Sequence, residues 1–266
     1  MEGLARHESL IQTLALVLAY LAVVLWERLR PLLRYDADDR WRLAGNFGLL
    51  VVNHAVPFLV VPVVAALGSW AASGLNLGWL NAVHAPRWLM FMVAVVALDL
   101  TGWLVHWSMH KVGPLWRVHR VHHSDLRFDS SLGFRFHPLE PALMAAASAA
   151  VVMALGLSLE AVLLSGVITT LHNFFGHANA SPAANVERRL RAWIITPDLH
   201  RVHHSADIAD SMSNFGIVFS WWDRLAGTYR APAAESPSNF GLGEVRDPRR
   251  LSLVRLLIMP FRRRLS

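Results

Sequence analysis

The sequence predicts an all-α, multi-span membrane helical bundle with a histidine-rich cap facing the cytoplasm. Three observations predict it. Hydrophobic residues make up 54% of the 266-residue chain and charged residues only 17%, where an ordinary soluble domain carries about 25%. The apolar residues fall in runs long enough to reach across a bilayer. Of the 14 histidines, 11 lie between His106 and His204, clustered at helical spacing.

The composition also excludes chemistries. With no cysteine, the chain holds no disulfide scaffold, Cys-ligated zinc, iron–sulfur cluster or thiol nucleophile. The net charge is +6, and every basic residue except Lys111 is arginine. In so apolar a chain this surplus reads as facing anionic lipid rather than nucleic acid.

The first apolar run, 10–26, carries no charge and just spans a hydrocarbon core. A signal peptide is the alternative. Against it, Glu2 and Glu8 precede the run, no small-residue cleavage site follows, and the run passes directly into Glu27-Arg28-Leu29-Arg30. The second run, 47–72, holds His54, Pro57 and Pro62 and spans with a tilt or kink. The third, 88–105, contains Asp99. The fourth, 141–171, is too long for one span and too short for two. Its Gly156-Leu157-Ser158 break makes it a tight helical hairpin. The stretches 186–195 and 251–265 read as amphipathic segments lying in the interface. No internal repeat is visible, and the chain reads as one integral membrane domain: N-terminal spans over 1–94, a histidine-rich region over 95–230 and a basic tail over 231–266.

Arginines set the orientation. Arg28, Arg30, Arg34, Arg40 and Arg42 lie between the first two runs, whereas the loop at 72–88 has only Arg87. The positive-inside rule places the first of these loops in the cytoplasm. Counting spans then delivers all the clustered histidines to that same face.

Three clusters carry the chemistry: His106-Trp-Ser-Met-His110, His119-Arg-Val-His122-His123 and His200-Arg-Val-His203-His204. Residues three and four apart share one helix face, so HxxxH aims two imidazoles at one point. In HxxHH the extra histidine is turned about 100° from its neighbour, which is useful for reaching a second ion. Eight such histidines make four for each of two metals. Left neutral and unmetallated, they would be a costly concentration of polar groups near lipid. Imidazole suits Zn, Cu, Fe and Ni. Structural zinc usually calls for thiolates, and none exist.

Several strings together resemble the fatty acid hydroxylase / sterol desaturase superfamily: Asp99 to His110, His119-Arg-Val-His122-His123-Ser124, Arg135-Phe-His137-Pro138-Leu-Glu140, His177-Ala-Asn179, Thr196-Pro-Asp198-Leu-His200-Arg-Val-His203-His204-Ser205, Asn214-Phe-Gly216 and Trp222-Asp223 to Tyr229. The resemblance runs over about residues 95–230. It implies a membrane-embedded non-haem di-iron oxygenase with two iron ions, O2 as co-substrate and a lipid as substrate. It implies ligands at His106, His110, His119, His122, His123, His200, His203 and His204, with His177 a ninth. A tenth falls at Asn173, four residues before His177, or at His172, whose spacing of five is poor helical geometry without a π-bulge. His137 is a candidate ligand or neighbour of the ligands. Asp99, Glu140 and Asp198 are candidates to orient imidazole N–H groups. His7, His54 and His84 match nothing and read as structural or exposed.

The expected function is hydroxylation, or desaturation, of a lipid such as a sterol, acyl chain, ether lipid or carotenoid, in a bacterial inner membrane. Electrons come from a separate donor protein, for which the basic cytoplasmic surface suits an acidic carrier. The rival is a metal-binding or metal-transporting membrane protein. That needs ligands near the bilayer midplane and usually repeated halves, whereas these ligands sit at span ends.

Overall fold

The computed structural model describes residues 2–35, 40–54, 86–233 and 237–263 together with Gly78, and side chains from residue 13 onward. Among these residues the fold is helical, with two isolated bridges, Ile194–Phe219 and Ser205–Phe240, in place of strands. The long helices are α1 (Glu2–Leu29), α2 (Arg40–Asn53), α3 (Arg87–Lys111), α5 (Leu139–Leu155) and α6 (Leu159–Gly176). The short ones are α4 (Gly113–His119), α7 (Ala184–Leu190), α8 (Pro197–His203), α9 (Ile208–Ser211), α10 (Trp221–Ala226) and α11 (Leu253–Ile258).

Two helices, α3 with 25 residues and α6 with 18, are long and apolar enough to cross a membrane. At 1.5 Å per residue they reach about 37 and 27 Å, against a hydrocarbon core of about 30 Å. The run at 10–26 lies in α1, which leaves Leu14, Leu18, Leu21 and Leu25 exposed, as suits a lipid-facing surface. Of the run at 47–72, only the start falls in α2. His54 follows it, and residues 55–72 lie outside the described residues.

The stretch 141–171 forms a helical hairpin. Gly156 ends α5 in the left-handed conformation at φ +71°, and Ser158 caps α6 by accepting from the Ala161 N–H. Glycine pays no Cβ penalty in that conformation, and serine satisfies an orphan donor of the next helix. The hairpin packs Leu157 and Ala161 on Ala94 of α3. The far end of α3 runs into the cap, where Val112 and Pro114 end it and begin α4.

The cap is tied to the N-terminal helices by buried polar groups. Glu27 of α1 accepts from the Ser130 N–H (2.7 Å), the Ser130 hydroxyl (2.8 Å) and the Asn179 N–H (2.7 Å). Arg42 and Asn46 of α2 donate to Asp125 at 3.2 and 3.0 Å, and Arg42 also pairs with Asp129. The expected interfacial stretch at 186–195 is the end of the seven-residue α7 and a following turn. It is anchored inward by Glu187, which accepts from Thr196 at 2.8 Å and pairs with Arg191.

The C-terminal stretch departs from the surface-lying helix expected over 251–265. Leu251, Leu256 and Met259 are buried in one cluster with Leu49 and Val121. The cause lies on α2. Gly45 and Gly48 leave a groove into which the Leu251 carbonyl, Leu256 and Leu253 fit, so the tail closes the cap.

The hairpin turn generates a paired prediction. Gly156→Ala lowers the thermal midpoint of the detergent-solubilised protein by the equivalent of about 1–2 kcal/mol, the left-handed penalty of an L-residue. Gly166→Ala, mid-helix with nothing within 4 Å of its added methyl, leaves the midpoint unchanged or raises it.

Candidate metal centre

The histidines converge as two groups. His106, His110, His119, His123 and His203 form the first; His122, His177, His200 and His204 form the second. All nine are buried, and within each group the ligand atoms lie within 4.8 Å of one another. The two HxxHH boxes split in the same way. The first and last histidines of a box join one group, and the middle one crosses to the other. His119 and His123 thus meet His203, and His200 and His204 meet His122. The physical reason is the 100° step, which turns the middle histidine, three residues after the first, away from its immediate neighbour. The groups are in contact, the rings of His123 and His204 stacking at 4.4 Å.

Backbone carbonyls and one carboxylate set the tautomers. His106 Nδ1 donates to the Phe215 carbonyl (2.8 Å), His122 Nδ1 to Arg135 (3.2 Å), His177 Nδ1 to Asn173 (2.9 Å) and His203 Nδ1 to Ser213 (2.7 Å). His119 Nδ1 donates to Glu140 Oε1 at 2.9 Å. A neutral imidazole has one N–H, so each of these rings presents a bare lone pair at Nε2. Those lone pairs point at one another: His106 and His119 Nε2 are 3.1 Å apart, and His122 and His177 Nε2 are 3.3 Å apart. No proton lies between such pairs. Two nitrogens bound about 2.1 Å from one cation at about 90–110° stand about 3.0–3.4 Å apart. The Nε2 atoms of His110, His123 and His203 are buried without any partner. The donor set therefore fits metal ions.

Burial first, and then the repulsion of neighbouring imidazolium charges, holds His122, His123, His200, His203 and His204 well below the usual histidine range. They stay neutral and able to ligate.

A loop clamp presents the acceptors. Asp223 takes the Phe215 and Gly216 N–H groups (2.9 and 2.8 Å), the Trp103 indole N–H (3.2 Å) and the Thr228 hydroxyl (2.6 Å). Asn214, at φ +53°, turns the chain so that the Ser213 and Phe215 carbonyls reach His203 and His106. Asn tolerates that conformation better than most residues. Arg135 is fully buried, and its guanidinium holds the Val121 carbonyl, Asn46 and Ser124 while its own carbonyl orients His122.

The remaining candidates fall into place as follows. Of the three carboxylates expected to orient imidazoles, Glu140 contacts one. Asp99 instead accepts from the Val218 and Phe219 N–H groups and the Trp222 indole, fixing the same loop from α3. Asp198 instead takes the Ser181 hydroxyl and Arg201, both on its own side of the cap. His137 lies outside both histidine groups, since Leu257 O and the Leu139 N–H occupy its two ring nitrogens. Asn173 donates its side-chain amide to the Gly133 carbonyl and orients His177 through its backbone carbonyl. His172 also lies outside both groups, with Nε2 buried and unpartnered. His54 is exposed, while His84 and the His7 side chain lie outside the described residues.

Beside the histidines opens a cavity of about 270 Å³, walled by Phe136, Met144, Ile195 and Ile217 and reached by Glu140 and His172.

The sequence profile of the fatty acid hydroxylase family matches residues 91–228. The chain is 28% identical over 157 residues to the ornithine lipid hydroxylase OlsE of Rhizobium tropici, covering 59% of this chain and 46% of that one. It is 26% identical over 144 residues to the alkylglycerol monooxygenase of Caenorhabditis elegans, covering 54% and 28%. The chain thus spans less than half the length of these curated relatives. No solved structure matches it.

Two predictions follow from the geometry. Glu140→Ala frees His119 to rotate and weakens metal retention about 10–100-fold in a chelator competition, with helical circular dichroism unchanged. The second concerns pH. The unfolded chain protonates its histidines below about pH 6.5, and the fold keeps the buried ones neutral. The unfolded state therefore binds more protons on the acid side. Stability is complete above about pH 6.5 and falls as pH drops, by up to about 1.4 kcal/mol per pH unit for each such histidine. A pH series of denaturation midpoints on metal-free protein that stayed flat from 7 to about 5 would contradict this.

Proposed function

The chain belongs to the fatty acid hydroxylase family, and on that premise we propose that it is a membrane-embedded lipid hydroxylase that holds two iron ions and uses O2. The observation that carries the metal reading is the convergence of nine buried imidazoles, five of them held with a proton-free Nε2. His106, His110, His119, His123 and His203 hold one ion; His122, His177, His200 and His204 hold the other. Iron in such a site supplies the reductive activation of O2 and the oxidant that breaks an alkyl C–H bond.

The chain's own residues do the rest. The carbonyls of Phe215, Arg135, Asn173 and Ser213 keep the imidazoles in the ligating tautomer. Glu140, which lines the cavity, binds the His119 N–H through Oε1, while its Oε2 is buried without a partner. Phe136, Met144, Ile195 and Ile217 exclude water and align an alkyl segment against the histidines. The names of the relatives support a lipid as substrate. Reducing equivalents come from outside these 266 residues, since a chain without cysteine carries no iron–sulfur centre of its own.

The cytoplasmic placement of the site rests on the positive-inside rule. The arginine-rich end of α1 is bound into the cap through Glu27, so the arginines and the histidines share one face.

Metal analysis and lipidomics test the proposal together. Protein purified from membranes carries about two irons per chain, and His203→Ala and His204→Ala each lose iron. Lipid extracts of cells expressing the wild type contain a species heavier by one oxygen atom that is missing with either variant. Stoichiometric zinc, or no oxidised lipid beside fully iron-loaded protein, overturns it.

A further inference from the structure

The cavity beside the histidines is closed at the cap and open at the span. Its cap end is walled by buried residues, among them Glu140, Ile195 and Gly216. Of the described residues that line it, Thr169 alone is exposed. Thr169 sits on α6, about 10 Å along the axis from the Gly176 end and about 15 Å from the Leu159 end. α6 is one of the two helices long and apolar enough to cross a membrane, and Leu163, Leu164 and Leu171 are exposed on the same stretch. The mouth of the cavity therefore lies on a surface suited to lipid chains.

The side of α6 that lines the cavity continues past this mouth. His177, Asn173, Thr170 with Thr169, and Gly166 recur at three- and four-residue steps and so share one side of the helix. All of them except Gly166 line the cavity. At Gly166 that side is open. The residue is exposed, and no described atom beyond its own helix backbone lies within 4 Å of a methyl added there. Across the hairpin, α5 contributes Glu140 and Met144 to the cavity, one turn apart, and then carries nothing larger than serine over residues 145–150. Both arms pack on α3 but not closely on one another. A slot thus runs between the arms, from the exposed surface at Gly166 past Thr169 to the histidines.

We propose that this slot is the substrate's way in: the alkyl chain of a bilayer lipid passes sideways between α5 and α6, and the glycine at 166 keeps the passage open. The occupant follows from the two ends of the slot. One end opens among exposed leucines, and the other reaches the groups proposed to hold the oxidant. A chain already in the bilayer gets there without crossing water. At about 270 Å³, the cavity lies below the range of about 300–1,000 Å³ for sites that enclose a whole small molecule. It takes one segment of the chain, and the rest of the lipid stays in the slot and the bilayer. The substrate class is then a lipid resident in the membrane, and not an acyl group delivered on a water-soluble carrier. The inference rests on the lipid hydroxylase reading given above.

Two measurements test it, and one of them needs no turnover. The chain has no cysteine, so Thr169→Cys provides a single thiol for one bimane label. In vesicles of phosphatidylcholine brominated in mid-chain, the bromines quench this label and aqueous iodide does not. A label at Gly243→Cys, exposed in the cap, shows the reverse. A Thr169 label reached by iodide, or by neither quencher, overturns the inference. The second measurement follows the lipid species heavier by one oxygen atom in cells. Gly166→Trp fills the slot and lowers that species about tenfold, with iron and helical spectrum retained. Leu164→Trp, turned about 200° from Gly166 on the same helix, keeps it. Gly166→Leu stands in if the tryptophan variant loses its iron. Wild-type product in the iron-loaded variant, an equal loss in Leu164→Trp, or loss of iron in both Gly166 variants overturns the inference. A wild type that makes no oxidised lipid sinks the hydroxylase reading alone, because the quenching still decides whether the mouth faces the bilayer.

Discussion

The site depends on one constraint: at the rings held by an oxygen, the single imidazole proton must sit on Nδ1. Five rings meet it by donating Nδ1–H to an oxygen, four of them to backbone carbonyls. Once that proton is placed, Nε2 has only a lone pair, and several lone pairs face one another at about hydrogen-bond distance. With no cation between them, that arrangement is repulsive and undersolvated. The fold must therefore hold it by force, and the surrounding structure is the means.

The force comes from buried polar networks rather than from apolar packing alone. Carbonyl acceptors are fixed only if their loops are fixed, and loops are fixed here by carboxylates that each take several N–H groups. Asp223 and Asp99 clamp residues 215–219 from two sides, one from the loop's own end and one from α3. Asp125 does the equivalent for the first HxxHH box. Burial alone would raise its carboxyl above the ordinary range, but Arg42, Arg135 and Asn46 outweigh that and hold it below. The charge stays, and with it the grip on α2. This explains a distribution that looks odd in so apolar a chain. Among the described residues nine charged side chains are buried, and Asp99, Asp125, Arg135, Glu140 and Asp223 of these fix a loop, a helix or a ring of the site.

How much of this was legible in the sequence follows from what residue type encodes. Spacing alone gives helical faces, so the HxxxH and HxxHH clusters announced two sites, and the crossing of His122 and His203 is the 100° step made visible. Gly156 and Ser158 carry their turn and cap chemistry in their identity, so the hairpin was legible too. Backbone carbonyls carry no such mark. Nothing distinguishes Phe215 or Ser213 from any other residue as an acceptor, and the only hint was the Asn214-Phe-Gly216 string. Asp99 and Asp198 drew attention as carboxylates near histidines, yet proximity along the chain did not decide what they bind. The C-terminal tail looked like an interfacial helix because its amphipathic stripe has two possible partners, lipid and the Gly45–Gly48 groove of α2. Only the groove's shape, set by the absence of two Cβ atoms, selects between them.

The position of the cavity ties the membrane part of the fold to the metal part. Met144 belongs to α5 and Thr169 to α6, the two arms of the hairpin, while Ile217 comes from the cap loop that carries the Ser213 and Phe215 carbonyls and Ile195 is tied to that loop through the Val218 carbonyl. One wall is thus built by the apolar segments and the other by the machinery that fixes tautomers. A shift of the loop at 215–219 moves the Phe215 carbonyl off His106 and Ile217 off the cavity and Gly102 together. Ligand geometry and substrate shape are therefore set by the same backbone. The clamp of Asp99 and Asp223 on that backbone governs both.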